Sequence, residues 1–270
     1  MSGLSFNRTA AVVLRQYYLL RSSTTRILPI FAWVAVDVVL WGFLTRYLNS
    51  ISAAGFDFVP LLLGAILFWD FFTRVMHGIA IAFLEDVWSR NFLNFFATPL
   101  RIWEYLAGLV ITSIGTSAFG LIVMLLLATA AFGLSVFVFG LTLIPFLLIL
   151  FLFGIAMGIF ASALVFRYGP ASEWFVWPIP ALLSPFAGVF YPVSTLPGWM
   201  QTVSRLLPPS YVFENMREAL SGHAVSVAGL AGGGALAGLY IVLACWYFAR
   251  VYRRAVSTGL IVRYSAESIG

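Results

Sequence analysis

Long apolar runs separated by short polar stretches dominate this chain. Six of them approach the length of about 20 residues that a helix needs to cross a bilayer. They lie at 27–48, 58–84, 102–132, 141–166, 174–190 and 224–249. The fifth, WFVWPIPALLSPFAGVF, is short and carries Pro178, Pro180 and Pro185, which predicts a kinked or partly unwound crossing. No ten-residue alternation of the kind that marks a membrane β-barrel recurs. The pattern predicts an all-α integral membrane protein with six transmembrane helices, built as a single domain over residues 1–270.

Two flanking stretches have a different periodicity. Residues 6–21, FNRTAAVVLRQYYLLR, set Arg8 and Arg15 seven apart, with Val12, Val13, Leu19 and Leu20 largely elsewhere around the helix. This predicts a helix within residues 1–26 that lies in the membrane interface, its arginines near anionic headgroups. Residues 191–223, YPVSTLPGWMQTVSRLLPPSYVFENMREALSGH, predict two short amphipathic helices divided by Pro208 and Pro209. Ser194 or Thr195 is expected to cap the first, with Pro197 in its opening turn, and Ser210 to cap the second, with Glu214 near its start and Arg217 one turn on. Trp199, Met200, Leu206 and Leu207 are too apolar for an aqueous loop, so the pair is expected to re-enter the outer leaflet, where irregular backbone must be buried in protein or line a cavity.

Composition agrees with a membrane domain: 62% of the residues are hydrophobic and 9% charged, with a mean hydropathy of +1.00. All fifteen basic residues are Arg. A Walker A loop needs its Lys on the nucleotide phosphates, so this chain does not carry that ATP site. Its single Cys, Cys245, lies in an apolar run and has no internal disulfide partner. The first apolar cluster, near residues 11–15, is too short for a cleavable signal. With the N-terminus inside, Arg8, Arg15, Arg21, Arg26, Arg90, Arg101, Arg167, Arg250, Arg253, Arg254 and Arg263 fall on the cytoplasmic side, against Arg46, Arg205 and Arg217 outside. That asymmetry predicts two cytoplasmic termini, the second on a tail of residues 250–270, and a cytoplasmic loop between spans two and three.

Charge also lies inside the spans. Asp70, Arg74 and His77 share one face of span two, and Asp70 can pair with Arg74 at i, i+4. Asp37, near the middle of span one, falls at a similar depth. Unpaired charge there is costly, so Asp37, Asp70 and Arg74 are expected to meet, with His77 as their partner rather than a metal ligand. They either line a translocation path or hold two helices together. In span six, Gly229/Gly233 and Gly234/Gly238 are spaced for close helix approach, toward neighbouring helices or a second copy.

The stretches NFLNFFATPLRIWEYLAG after span two and GVFYPVSTLPGWMQTVSRLLPPSYVFENMR after span five, behind an amphipathic N-terminal helix, are similar to permease subunits of ABC-2 type exporters. The resemblance covers nearly the whole chain. It implies one half of a dimeric channel, paired with a second copy or close relative, over two ATP-binding-cassette subunits that hold ATP and Mg. No cofactor in this chain and no nucleic-acid partner are implied. It places a coupling helix at about Arg90 to Thr98: Arg90, Asn91 and Asn94 would offer polar contacts, and Phe92, Phe95 and Phe96 an apolar anchor in a groove of the ATPase. Pro99 would end that helix, Arg101 would follow it, and Glu85 and Asp86 would be rim charges. It also implies a bacterial inner-membrane location. Polysaccharide permeases of the family often have a Gly-x-x-Trp stretch leading into a Pro in span one; here Pro29 stands without that Gly, which leans toward lipid, nodulation-factor-like or drug cargo, although the Trp and Phe content suits sugar rings too. Two other classes remain open on sequence: a proton-coupled secondary transporter working through Asp37, Asp70 and His77, and an intramembrane enzyme. The latter has no H-E-x-x-H or G-x-S-x-G motif to support it.

Overall fold

Backbone in hydrocarbon must satisfy its own hydrogen bonds, and the apolar runs do so as helices. The computed structural model describes residues 5–22, 24–51, 58–89, 91, 94–95, 97–169 and 172–258, and every regular element among them is helical. The first is α1 (Phe6–Arg21), followed by α2 (Thr24–Ile51). A turn of π-helix (Val59–Leu63), with Pro60 at its start, leads into α3 (Gly64–Trp88). Next come α4 (Ile102–Phe132), a 3-10 segment (Val136–Thr142) and α5 (Leu143–Tyr168). The chain continues through α6 (Glu173–Val176), α7 (Ile179–Ala187), α8 (Gly198–Ser204) and α9 (Pro208–Leu220) to α10 (Val227–Ser257).

Among the described residues, five helical segments are long and apolar enough to cross a membrane: Ala32–Ile51, Val59–Trp88, Ile102–Phe132, Phe137–Tyr168 and Val227–Ser257. The expected fifth span is not one of them. It is split into α6 and α7 at Trp177 and Pro178, and Pro185 lies inside α7. Gly188 then closes α7 with a φ of 66°, a left-handed conformation that glycine adopts without strain.

Side-chain pairs along the bundle fix the helix directions. Phe72 stacks on Phe153 and Phe83 packs on Phe166, so α3 and α5 run parallel. Tyr240 meets Phe153 and Phe248 meets Phe166, so α10 runs with them. In contrast, Tyr105 packs near Phe83 while Gly120 lies against Arg74, which makes α4 antiparallel to α3. Arg46 donates to the Ala131 carbonyl (2.8 Å), so α2 follows α4. Since α5 and α10 point the same way, the chain between them must return from one end of the bundle to the other. Along that return Trp177 stands at the level of His77 (ring centroids 4.8 Å) and Phe190 at that of Trp41 (5.3 Å).

The core lies between α3, α5 and α10. One close seam in it is α3 on α5, where a Cβ added at Gly154 or Gly158 would come within 2.9 Å of Val75 or Ile79. Small residues in register let membrane helices approach this closely and gain dispersion contact. The stripe predicted on the last span divides in two. Gly233 packs under Tyr211 of α9, where a Cβ would lie 3.0 Å away, whereas Gly238 faces open space.

Candidate functional site

The loop between α3 and α4 is rooted by two buried carboxylates. Asp86, on the last turn of α3, is only 2% exposed. Arg15 of α1 donates to both its oxygens, at 2.5 and 3.0 Å, and the Tyr105 hydroxyl donates at 2.7 Å. Asn91 adds its backbone N–H to the Asp86 carbonyl (3.1 Å). Glu104, in the first turn of α4, is fully buried. It accepts the backbone N–H of Arg101 (2.9 Å) and that of Ser5 (2.8 Å), and Arg8 lies at 3.6 Å. The reach back to Arg101 is the carboxylate half of a capping box. Arg8 also donates to the Pro99 carbonyl (2.6 Å). A two-pronged guanidinium on a buried carboxylate is a strong, directional contact, so α1 is fastened to both ends of the loop.

This arrangement corrects two expectations. Asp86 is no rim charge, because its position in register with Ile79 and Phe83 turns it into the core. Arg8 and Arg15 of α1 also bond within the chain, to Pro99 and Asp86, rather than reaching for headgroups. Arg8, Val12 and Arg15 fall at spacings of four and seven, hence on one face, and that face is turned inward: a Cβ at Gly108 of α4 would lie 2.6 Å from Val12. The outward face carries Phe6, Leu14, Tyr17 and Tyr18. Such a face suits an apolar interface.

Within the loop, Phe95 donates its N–H to the Asn91 carbonyl (3.0 Å) and Thr98 to the Phe95 carbonyl (3.1 Å), which forms short helical turns before Pro99. The Phe95 ring is half-buried against Tyr105 (5.1 Å), and the Arg15 guanidinium lies over it at 5.0 Å. One face of Phe95 is therefore engaged inside this chain. Asn94, Ala97, Thr98 and Pro99 are exposed. Arg90, Phe92 and Phe96 lie outside the described residues. Arg101 is exposed at the start of α4, beside an apolar groove between α4, α5 and α10.

Deeper in the bundle, Arg74 pairs with Asp70 one turn earlier on α3, and both are about five-sixths buried. Asp37 of α2 is half-buried within the field of both. Gly120 of α4 gives Arg74 room to lie flat, its Cδ 3.5 Å from where a Cβ would stand. Three helices thus converge on one group of charges. His77, one turn on along the same face, packs its ring at a tilt against Trp177 (centroids 4.8 Å) at the break between α6 and α7.

At the opposite end, Pro208 and Pro209 are buried at the start of α9. The expected caps take other roles. Pro197 is itself the residue before α8, Ser194 and Thr195 form a separate 3-10 turn, and Ser210 lies inside α9 with its hydroxyl on the Ser204 and Leu207 carbonyls (2.6 and 2.8 Å). Glu214 accepts the Val193 N–H (2.7 Å) and pairs with Arg217 (2.7 Å), which donates to the Gly188 carbonyl (2.7 Å). These contacts staple α9 to the turn after α7. Trp199 is two-thirds exposed, edge-on to Phe186.

Sequence reasoning missed Glu104 and the structural weight of Asp86. The signal for Glu104 was a Glu three residues after the start of an apolar run, in RIWE. The family model described as ABC-2 type transporter matches residues 11–221 of the 270. No curated protein matches the chain. The chain belongs to the ABC-2 type transporter family and is a multi-pass membrane transport subunit.

Proposed function

We propose that this member of the ABC-2 type transporter family is the permease of an ATP-driven exporter whose cargo is lipid-linked, glycan or hydrophobic. ATP and Mg are held by a separate ATPase subunit, two copies of which dock beneath two permease protomers, identical or closely related. The residues around 90–98 form the docking element. Both termini and this loop are cytoplasmic, in a bacterial inner membrane, and α6 and α7 together make a sixth, broken crossing. The segment 191–223 dips back into the outer leaflet.

The observation that carries this reading is the double fastening of the loop through Asp86 and Glu104. A connector needs no such anchorage. A lever does: force applied to the loop passes at once to α3, α4 and α1, because each root is a buried, charge-assisted contact. The helix so moved, α3, carries Asp70 and Arg74 against α2 and α4. A shift of α3 by even part of a turn changes how those charges meet Asp37, and that is how hydrolysis outside the membrane alters a polar path within it.

The test replaces Phe92 and Phe96, the sequence-derived anchors, with Ala. Tagged permease should still insert, yet retain less ATPase after a salt wash and export less cargo in cells, since aromatics at an interface centre commonly carry about 2 kcal/mol or more. Normal retention together with normal export would show that the loop is only a connector.

A further inference from the structure

The groove between α4, α5 and α10 has no part in the reading above. It holds about 570 Å³ and is lined by Arg101, Trp103, Leu106, Val110, Ile159 and Cys245, among others. From Arg101 to Ile111 it follows ten residues of α4, about 15 Å of helix. That is roughly half the thickness of a bilayer's hydrocarbon core, the depth of one leaflet. Its wall is apolar, and Arg101 stands at the end nearest the loop. Trp103, part-exposed and packed on Phe248, stands beside it at the level where indole rings favour headgroups.

We infer that this groove binds one acyl chain of an anionic phospholipid from the leaflet at the loop end of the bundle, with the lipid phosphate facing Arg101. The length of the groove selects a single leaflet's chain, and the apolar wall is neutral toward headgroup type. Preference for an anionic lipid therefore rests on Arg101. A basic residue at a membrane surface favours anionic lipid by about fivefold. The assignment of that leaflet as cytoplasmic rests on the proposed orientation; the groove itself does not.

Cys245 is the chain's single cysteine and lines the groove, so the unaltered protein reports its own occupancy. Its modification by N-ethylmaleimide is followed in nanodiscs of phosphatidylglycerol or of phosphatidylcholine. The expected result is labelling slower in phosphatidylglycerol by about fivefold, with the difference abolished in Arg101→Gln. Equal rates for the unaltered protein in the two lipids would overturn the assignment. So would a difference that persists in Arg101→Gln, because the protection would then come from net charge rather than from this site. The assay needs neither ATPase nor cargo. Lost export with intact lipid protection would count against the transport reading alone.

Discussion

Buried carboxylates need partners, and the partners of Asp86 span three segments of the chain: Arg15, Tyr105 and Asn91. Replacing Asp86 by Asn keeps the shape but removes the charge that Arg15 faces. Hydrogen bonds to charged groups contribute about 1.5–3 kcal/mol, and the lower end applies because Arg15 is partly solvated. Asp86→Asn should therefore lower the thermal unfolding midpoint in detergent, whereas Glu218→Gln, at an exposed position, should change stability by no more than about 0.5 kcal/mol. If the two variants melt alike, the fastening of α1 does not contribute. The intramembrane group calls for a different measurement. Arg74→Ala strands both Asp70 and Asp37, whereas Asp37→Asn leaves the Asp70–Arg74 pair intact. Adding Asp37→Asn to Arg74→Ala should therefore relieve part of its cost, and the double change should be less harmful than the sum of the singles, with a coupling of at least about 0.5 kcal/mol. Strictly additive losses of export and stability would separate the two residues. Spacing along one helix made the Asp70–Arg74 pair legible in the sequence. The Arg15–Asp86 contact was not legible, because it joins residues 71 apart and depends on how α1 lies across α4.

Helices whose ends are set by local chemistry could be read from the chain; those set by tertiary packing could not. The predicted bounds of α4 coincide with the observed Ile102–Phe132, and α1 (Phe6–Arg21) lies within the stretch of residues 1–26 read as carrying a helix. At α4 the reasons are local: Glu104 reaches back over the first turn, and Gly133 ends the helix with a φ of 71°. Close packing is expected on the last span, but the close seam between α3 and α5 uses Gly154 and Gly158 of α5, spaced four apart in GIAMG. The pattern was present in both places, and only the docking of α3 decides which matters. At Gly158 an added methyl would meet Ile79 at 2.9 Å and the Met76 carbonyl at 3.0 Å. A backbone atom cannot rotate aside, so Gly158→Ala should destabilise by about 1–3 kcal/mol. Gly238→Ala meets nothing within 4 Å and should be neutral or gain up to about 1 kcal/mol of helix propensity. Thermal unfolding of the two variants in one detergent decides the matter; a ranking in the reverse order would rule out the seam as the source of stability.

The direction of the last helix determines how the whole molecule sits in its membrane. Because α10 runs parallel to α5, residues 169–226 must carry the chain back across the bundle. They do so in pieces, since Pro178 and Pro185 interrupt the helical ladder and a continuous apolar helix cannot form. Side chains that donate to carbonyls of this broken segment, Tyr191 to Pro185 and Arg217 to Gly188, replace part of what the backbone ladder lacks. A hydropathy pattern registers such a segment only as a short run with prolines, so its extent was visible in the sequence and its path was not. The path can be measured. In a Cys245→Ala background, single cysteines placed at Ser89, Ser135 and His223, all exposed, are challenged with a membrane-impermeant thiol reagent on intact cells. With α6 and α7 as a crossing, positions 135 and 223 label together from outside, and position 89 labels only after permeabilisation. Should 223 instead behave like 89, the segment would be a hairpin within one leaflet and α10 would leave its terminus outside. The parallel packing of α5 and α10 would then be incompatible with the chain's insertion, so this one labelling pattern tests the helix directions and the proposed six-crossing topology together.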